Sequence, residues 1–248
     1  MRYFTLFALL LLSNLAQADG LIDLKAALNR LQGQSNLKAA LEAKTWRKLG
    51  EGSEAIEYQG HAHVQLEDVG RGLQVVYSKD LLAKMELEEH AKSKDANSKT
   101  PILSALREFE ASQLREMTSA AGNLARQVEK AVFKSEKADT YQGKAVRLLN
   151  FELAADVLNE RQRKYVKHFE GNLLIWIAAD GTPLASRIIN NVRGRAFIVI
   201  RFEAKSDEQS VYAQAGDRLL IVQKESKSSA AGAGERSEER VVKTLQVL

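Results

Sequence analysis

The stretch GNLLIWIAADGTPLASRIINN, residues 171–191, contains two apolar runs separated by a turn sequence. Leu173 to Ile177 and Leu184 to Ile189 are rich in the branched and aromatic residues that are typical of buried strands. Between them, Asp180-Gly181-Thr182-Pro183 is a sequence that favours a turn. We therefore predict an antiparallel hairpin at the centre of a sheet. Because the first run does not alternate strictly, we expect both faces of the sheet to be covered there.

A second hairpin is predicted from AIEYQGHAHVQLE, residues 55–67, which alternates apolar or small residues with polar ones. This period of two indicates a strand with one wet and one buried face. The glycine-containing DVGRG follows, and Leu73 to Tyr77 then returns as the partner strand. The residues expected on the buried face are Ile56, Tyr58, Gly60, Ala62, Val64 and Leu66.

Strand patterns dominate the chain after residue 141, and short links with turn residues separate them. The predicted turns include residues 170–172, 193–195 and 206–207. Short links pair consecutive strands antiparallel, as a meander, because parallel pairing needs long crossovers. The predicted strands are Lys144–Leu153, Lys164–Phe169, Leu173–Ala178, Leu184–Val192, Ala196–Ala204, Val211–Ala215, Leu219–Lys224 and Val241–Val247.

Helices are predicted in two places. Leucines at three- and four-residue spacing from Leu21 to Leu31 lie on one helical face. The segment 81–138 is rich in helix formers, and Thr100-Pro101 is typical of a helix start, so we expect one long helix or two consecutive ones over residues 100–133. The glycine- and serine-rich segment 225–240 has too little apolar surface to order, and we predict a flexible loop.

These patterns together predict the fold class. We expect an α+β protein in which a large curved antiparallel β-sheet, a half-barrel-like meander, is covered on one face by helices. Residues 19–248 would form a single domain, with the helical insertion at about 81–138 and the flexible loop at about 225–240.

The first 18 residues, MRYFTLFALLLLSNLAQA, have the features of a cleavable signal peptide. One cation, Arg2, precedes an apolar stretch from Phe4 to Leu12, and Ala16-Gln17-Ala18 provides the small residues that signal peptidase requires. The apolar stretch is shorter than the ~20 residues that span a bilayer, although an uncleaved anchor or a buried helix is the alternative. We predict cleavage after Ala18 and export to the periplasm.

Composition narrows the class of protein. The chain has no cysteine, so its core must be stable without disulfides even after export. Hydrophobic residues at 45% and charged residues at 27% are ordinary for a globular protein. The formal net charge of +4 is too small to indicate a nucleic-acid-binding protein, and we expect no nucleic-acid partner and at most peripheral membrane contact.

His61 and His63 are the one pair that invites a metal interpretation. They lie two residues apart on the polar face of the predicted strand, beside glutamines. A third ligand would have to come from His90, His168 or a carboxylate, and no spacing points to one. A solvated histidine pair is the alternative, and we predict no metal site and no cofactor.

RQRKYVKH, residues 161–168, concentrates basic residues. A patch for phosphate or lipid headgroups is one interpretation, and an ordinary solvated strand and turn is the other. No Gly-x-Ser-x-Gly motif or phosphate-binding loop occurs, so no catalytic residue is predicted and the chain is not expected to be an enzyme.

A set of large apolar residues falls on predicted sheet and helix faces. They either pack in the core or line a ligand cavity. The curvature of the sheet decides between these two alternatives, and the sequence does not determine that curvature. The set is Trp46, Tyr58, Tyr77, Phe109, Met117, Phe133, Phe151, Trp176, Phe197 and Phe202.

The layout resembles the periplasmic lipoprotein-carrier (LolA/LolB-like) family of Gram-negative bacteria. The resemblance rests on the exported leader, the short helix LIDLKAALNRLQGQ, the strand LKAALEAKTWRKLGEG and the strands that end in GDRLLIVQKE. It implies a curved antiparallel half-barrel whose helices close an apolar cavity that holds acyl chains. The family's functional arginine has no clear counterpart, so no ligand-binding residue is assigned.

Three functions follow as hypotheses. The first is a soluble periplasmic carrier that holds a lipid-like or other apolar ligand between sheet and helices. The second is a cell-envelope assembly or interaction module without a cavity, in which the segment 81–138 docks a protein partner. A hydrolase is the third, with no motif in its favour.

Overall fold

A computed structural model describes residues 19–158, 160–196 and 200–248. The predicted signal peptide at 1–18 and the predicted apolar residue Phe197 lie outside the described residues.

The ten strands of the described residues form one antiparallel sheet that does not close, with β3 and β4 at its edges. The order across the sheet is β3-β2-β1-β10-β9-β8-β7-β6-β5-β4, so the chain runs as a meander except where β10 pairs with β1. The strands are β1 (Leu37–Leu49), β2 (Ile56–Asp68), β3 (Leu73–Val76), β4 (Val132–Tyr141), β5 (Lys144–Leu153), β6 (Val166–Ile177), β7 (Pro183–Ala196), β8 (Ile200–Ala215), β9 (Arg218–Gly232) and β10 (Glu235–Val247).

Six α-helices accompany the sheet within the described residues, and four of them connect β3 to β4. They are α1 (Gly20–Arg30), α2 (Lys79–Lys94), α3 (Pro101–Leu106), α4 (Ala111–Thr118), α5 (Ala121–Lys130) and α6 (Glu160–Tyr165). Asp19 caps α1 by accepting a hydrogen bond from the Leu21 N–H, and Ser78 caps α2 in the same way through Leu81. Short 3₁₀ turns occur at Gly52–Glu54, Arg107–Phe109 and Ala155–Val157.

Strand alternation defines two faces of the sheet. In β1, Leu37, Ala39, Leu41 and Ala43 are buried, and we call the face that carries them the inner face. The register places Val64 of β2 and Leu245 of β10 beside Leu41. The inner face of β5 and β6 continues this core with Leu149, Phe151, Leu173 and Ile175.

The helices contribute buried leucines and other apolar residues to the same core. α3 contacts β1 and β2, α4 and α5 contact β9, and α1 contacts α5, β5 and β7. The helical core residues are Leu24, Leu28, Ala105, Leu114, Met117, Leu124 and Val128. Helix α2 is the exception, because Leu81 is the one buried residue in it.

The hairpin predicted at 171–191 is confirmed: β6 and β7 pair antiparallel around residues 178–182. Three predicted turns are wrong, because residues 170–172, 193–195 and 206–207 lie inside β6, β7 and β8. The glycines there serve close packing instead of turning the chain. A Cβ on Gly171 would lie 2.7 Å from the Phe169 ring, and one on Gly194 would collide with the Phe202 ring.

The predicted flexible loop at 225–240 is also wrong. All its residues except Ala233 and Gly234, which form the turn, belong to β9 and β10, and these strands pair from Gly232 and Glu235 down to Gln223 and Thr244. β9 also pairs with β8 over its whole length. A strand with neighbours on both sides is ordered by its backbone hydrogen bonds, so small and polar side chains do not prevent its formation.

The helical insertion is shorter and more divided than predicted. Its last helix ends at Lys130, and residues 132–138, which were expected to be helical, belong to edge strand β4. From residue 100 onward, three helices replace the one or two expected, because Glu110 and Ser119, which have non-helical backbone conformations, interrupt the helical stripe on either side of α4.

Candidate functional site

The inner face divides into two halves where α3 crosses β2. Gly60 and Thr45 are register partners there, and a Cβ on Gly60 would lie 2.7 Å from the Pro101 carbonyl oxygen and 2.5 Å from Thr45 Oγ1. Glycine is therefore needed at this position, since any larger residue would push the helix away. We call the part of the sheet beyond Gly60, on the side of Ile56 and Tyr58, the distal half.

Inner-face residues in the distal half are open to solvent. Ile56 is 56% exposed and Tyr58 is 44% exposed, although their alternation with buried Ala62 and Val64 predicted burial. The prediction fails for these two residues because α3 contacts β2 at Gly60 and leaves the first four residues of β2 exposed. Large apolar side chains on an otherwise buried face, left exposed at one end, mark a surface that can receive a ligand.

A cleft of about 1290 Å³ lies across the distal halves of six adjacent strands, from β2 to β7. It includes one complete row of register partners, which strand alternation places on the face opposite to the inner face, here called the outer face: Gln59, Trp46, Arg240, Lys227, Asp207 and Ile189. Pro101 at the start of α3 lies at the β2 end. The volume exceeds the range of ~300–1,000 Å³ that is usual for ligand pockets, so the cleft has room for a large or extended ligand.

Charged residues of the cleft are paired with neighbours on the sheet. Arg240 Nε lies 2.9 Å from Glu225 Oε1, and Lys44 Nζ lies 3.2 Å from Glu42 Oε2. Arg187 binds Asp207 through two hydrogen bonds, of 2.9 and 2.6 Å, and holds the pKa of that carboxyl below its usual value. Because the charges neutralise one another, the cleft carries no strong net field.

Carbon atoms make up most of the exposed lining of the cleft. Trp46, Ile189 and Val242 contribute apolar surface, and the aliphatic stems of the lysines and arginines add to it. Trp46 Nε1 donates to Glu57 Oε2 at 3.2 Å, which fixes the edge of the indole. A mostly apolar concavity with a few polar groups is the usual composition of a small-molecule site.

A smaller cleft of about 290 Å³ lies on the inner face of the distal half. Its floor consists of small side chains that are register partners on β8 and β9: Ser206 with Ser228, and Ala204 with Ala230. Small residues keep this part of the inner face shallow and accessible. Serines and alanines in 225–240, which suggested a mobile loop, instead provide this surface.

Little space remains between the sheet and the helices α4 and α5. The cavity between α4, α5 and strands β7 to β9 measures about 10 Å³, which is too small for an acyl chain. Tyr212 is buried beside it and shares a 2.8 Å hydrogen bond with Ser186 Oγ. Burial raises the pKa of the Tyr212 hydroxyl, so this group stays neutral.

Buried basic residues of β9 and β10 anchor the helical segment to the sheet. Lys224 Nζ lies 2.9 Å from Glu116 Oε2 of α4 and 3.1 Å from Glu208 Oε1 of β8. Lys243 Nζ lies 2.7 Å from Glu108 Oε2 and also donates to Gln113 Oε1. Although burial acts to lower the pKa of Lys224, the two carboxylates outweigh it and raise that pKa.

Sequence analysis missed this anchoring set, which also includes the 2.9 Å ion pair between Arg218 and Asp68. One signal was available for Lys243, because it stands two residues from both Val241 and Leu245 on the buried side of a strand pattern. A lysine at such a position needs a partner carboxylate.

The histidine pair has no metal-binding geometry. His61 Nε2 hydrogen-bonds Glu42 Oε1 at 2.7 Å, and this bond lowers the pKa of Glu42. His168, one of the candidates for a third ligand, instead forms a 2.9 Å hydrogen bond with Glu170. In the part of the chain that the structure describes, no group of three His, Cys, Asp or Glu residues could hold a metal ion.

The basic stretch 161–168 forms the end of α6 and the start of β6. Its described charged side chains are exposed, and the register places it beside the last residues of β7.

The predicted apolar set separates into three groups. Phe109, Met117 and Phe151 are buried in the core, and Trp46, Trp176 and Phe202 are partly buried. Tyr58, Tyr77 and Phe133 are exposed. The structure brings Trp46, but not the buried members, to the large cleft.

Comparisons with known proteins identify no family. No family model matches the chain, and no curated protein matches it. Among the described residues, no helix combines the length and apolarity needed to cross a membrane. The geometry of the sheet and its clefts therefore carries the functional argument.

Proposed function

We propose that this protein is an exported, periplasmic carrier or binding protein for a lipid-like or other apolar ligand. The chain would be a distant, half-barrel relative of the lipoprotein carriers, with the sheet curved around its helices. The contacts of α3 with β2 and of α4 and α5 with β9 support this arrangement.

The large cleft of the distal half carries the proposal. Its volume of about 1290 Å³, its mostly carbon lining and its neutralised charges suit an elongated apolar ligand. The sequence predicted that the ligand lies between the sheet and the helices. Because the space beneath α4 and α5 is filled, a ligand has no room there. The proposed site is therefore the large cleft on the outer face of the distal half, with Pro101 at one end. Each methylene that leaves water there would contribute ~0.8 kcal/mol.

Ile189 offers a direct test, because it lines the cleft and is 36% exposed, so its replacement should not disturb the core. A fluorescent fatty-acid probe is titrated against the unmodified protein, Ile189→Arg and a control, Ile22→Arg. Ile22 is 63% exposed on α1 and does not line the cleft. Ile189→Arg loses an apolar contact worth ~1.5 kcal/mol or more, so its affinity for the probe should fall about tenfold. The affinity of Ile22→Arg for the probe should be unchanged.

Lipid extraction of the purified protein provides the complementary measurement. Absence of co-purified lipid together with absence of probe binding would contradict the carrier function. Equal weakening in both variants would place the site elsewhere.

An interaction module is the second candidate, and α2 favours it. This helix exposes Leu82 (49%) and Leu87 (70%) and buries only Leu81 among its residues. Deleting the whole helical segment is not a usable test, because α4 and α5 contribute Met117 and Leu124 to the core. Leu82→Ser/Leu87→Ser keeps the fold, and loss of one defined envelope partner with retained probe binding would assign the partner to α2.

A further inference from the structure

Four basic side chains line a separate cleft of about 690 Å³ at the far end of the distal half. They are Lys167 of β6, Arg193 and Arg195 of β7, and Arg201 of β8, and all four are exposed. The lining contains one carboxylate, Glu203. That carboxylate is already engaged, 3.1 Å from Lys205 Nζ and 3.8 Å from Arg193 Nε.

Strand register forces two of these cations together. Arg195 and Arg201 are direct cross-strand partners on the antiparallel pair β7 and β8. Like charges in this position destabilise a sheet, so an external anion that bridges them relieves a repulsion that the fold itself imposes. Neither arginine, nor Lys167, makes an ion pair with any described residue.

More positive charge adjoins this cleft. Arg163 and Lys164 at the end of α6 are exposed, and Val166 of the following strand pairs with Gly194 of the cleft. Tyr165 stands between these groups, is 38% exposed, and its carbonyl oxygen packs against Gly194. Cations that flank an exposed tyrosine match the composition that proteins present to a membrane interface.

The position of this surface relates it to the proposed ligand site. Lys205, Ser229 and Arg236 line the large cleft, and Arg201, Ala231 and Gly234 line the basic cleft a few residues further along the same strands and hairpin. A surface bound at the basic cleft would therefore lie next to the large cleft.

We propose that this basic end of the sheet, centred on Arg195 and Arg201, docks the protein on the surface of an anionic phospholipid bilayer. The cations contact headgroup phosphates, and the large cleft is held close to the lipid. The docking rests on the exposed cations and Tyr165 and does not depend on the proposed function.

The test is co-sedimentation of the purified protein with vesicles of phosphatidylcholine alone or of phosphatidylcholine mixed with phosphatidylglycerol. The protein should sediment with the anionic vesicles, stay in solution with the neutral ones, and be released by high salt. Arg195→Gln/Arg201→Gln should lower the partition coefficient about 25-fold, which is fivefold for each cation removed.

Two further variants control for net charge and for folding. Lys92→Gln/Lys94→Gln removes the same charge from exposed positions on α2 and should leave binding almost unchanged. Arg195→Lys/Arg201→Lys should keep most of the binding to anionic vesicles. Failure of the unmodified protein to bind anionic vesicles, or an equal loss in the α2 control, would overturn the proposal.

Two further measurements test what binds at the basic cleft and whether docking is separate from ligand binding. Displacement by inorganic phosphate at constant ionic strength would indicate a site for a soluble anion and would also overturn bilayer docking. The fatty-acid probe, titrated without vesicles, should bind Arg195→Gln/Arg201→Gln as it binds the unmodified protein, so failure of docking and failure of ligand binding are distinguishable.

Discussion

Lys224 shows how single residues connect the helices to the sheet. Its ammonium lies between Glu116 and Glu208 and is almost fully buried, with 7% of its side chain exposed. Such a cluster is weak evidence of stability, because desolvation offsets most of the attraction. Removing one member, however, leaves the other partly or fully buried charges without compensation, so the cluster fixes how α4 sits on β9.

Replacement of this lysine should be costly. Lys224→Met leaves two partly buried carboxylates without their shared cation, and the free energy of unfolding should fall by about 3 kcal/mol. Lys227→Met, on the same strand at an exposed position, should change it by less than about 0.5 kcal/mol. Urea unfolding followed by circular dichroism measures both. A small effect of Lys224→Met would mean that α4 is not anchored through this lysine.

The helix–strand contact of α3 decides where the buried core ends and the distal half begins. Gly60 allows Pro101 to approach β2, and the exposed residues Ile56 and Tyr58 follow directly from the position of that crossing. The alternating pattern of β2 is uniform across this boundary. Its sequence therefore predicted one buried face, while the location of one short helix determined which part of that face is buried.

Two glycine substitutions separate this contact from general glycine effects. Gly60→Ala places a methyl group against Pro101 and Thr45 and should destabilise the protein by about 1–3 kcal/mol. Gly122→Ala in α5 meets no atom within 4 Å and should be neutral or stabilising by up to about 1 kcal/mol. Thermal unfolding compares the two. Equal effects would contradict the close approach of α3 at Gly60.

At the scale of the whole molecule, stability should be distributed by strand pairing. β9 and β10 lie between β8 and β1, so nearly every backbone group of 225–240 has a partner strand. By contrast, α2 is exposed along most of its length. Regions with paired backbone and many neighbours open only when much of the molecule unfolds.

Hydrogen exchange measures this distribution without any substitution. Amides of 225–240 should exchange as slowly as those of β1, and amides of α2 should exchange faster. A flexible loop at 225–240 would show the opposite order. Fast exchange across 225–240 would show that the segment is not held in the sheet.

By itself the sequence determined local features of this protein: the helix at 20–30, the hairpins around residues 70 and 180, and the antiparallel meander. Side-chain period and turn chemistry act over a few residues, so they can be read along the chain. Tertiary structure alone decided that β10 pairs with β1, that 225–240 is ordered, and that the space beneath α4 and α5 is filled while the distal half stays open. These features depend on backbone pairing and packing between residues far apart in the chain, which no local pattern records.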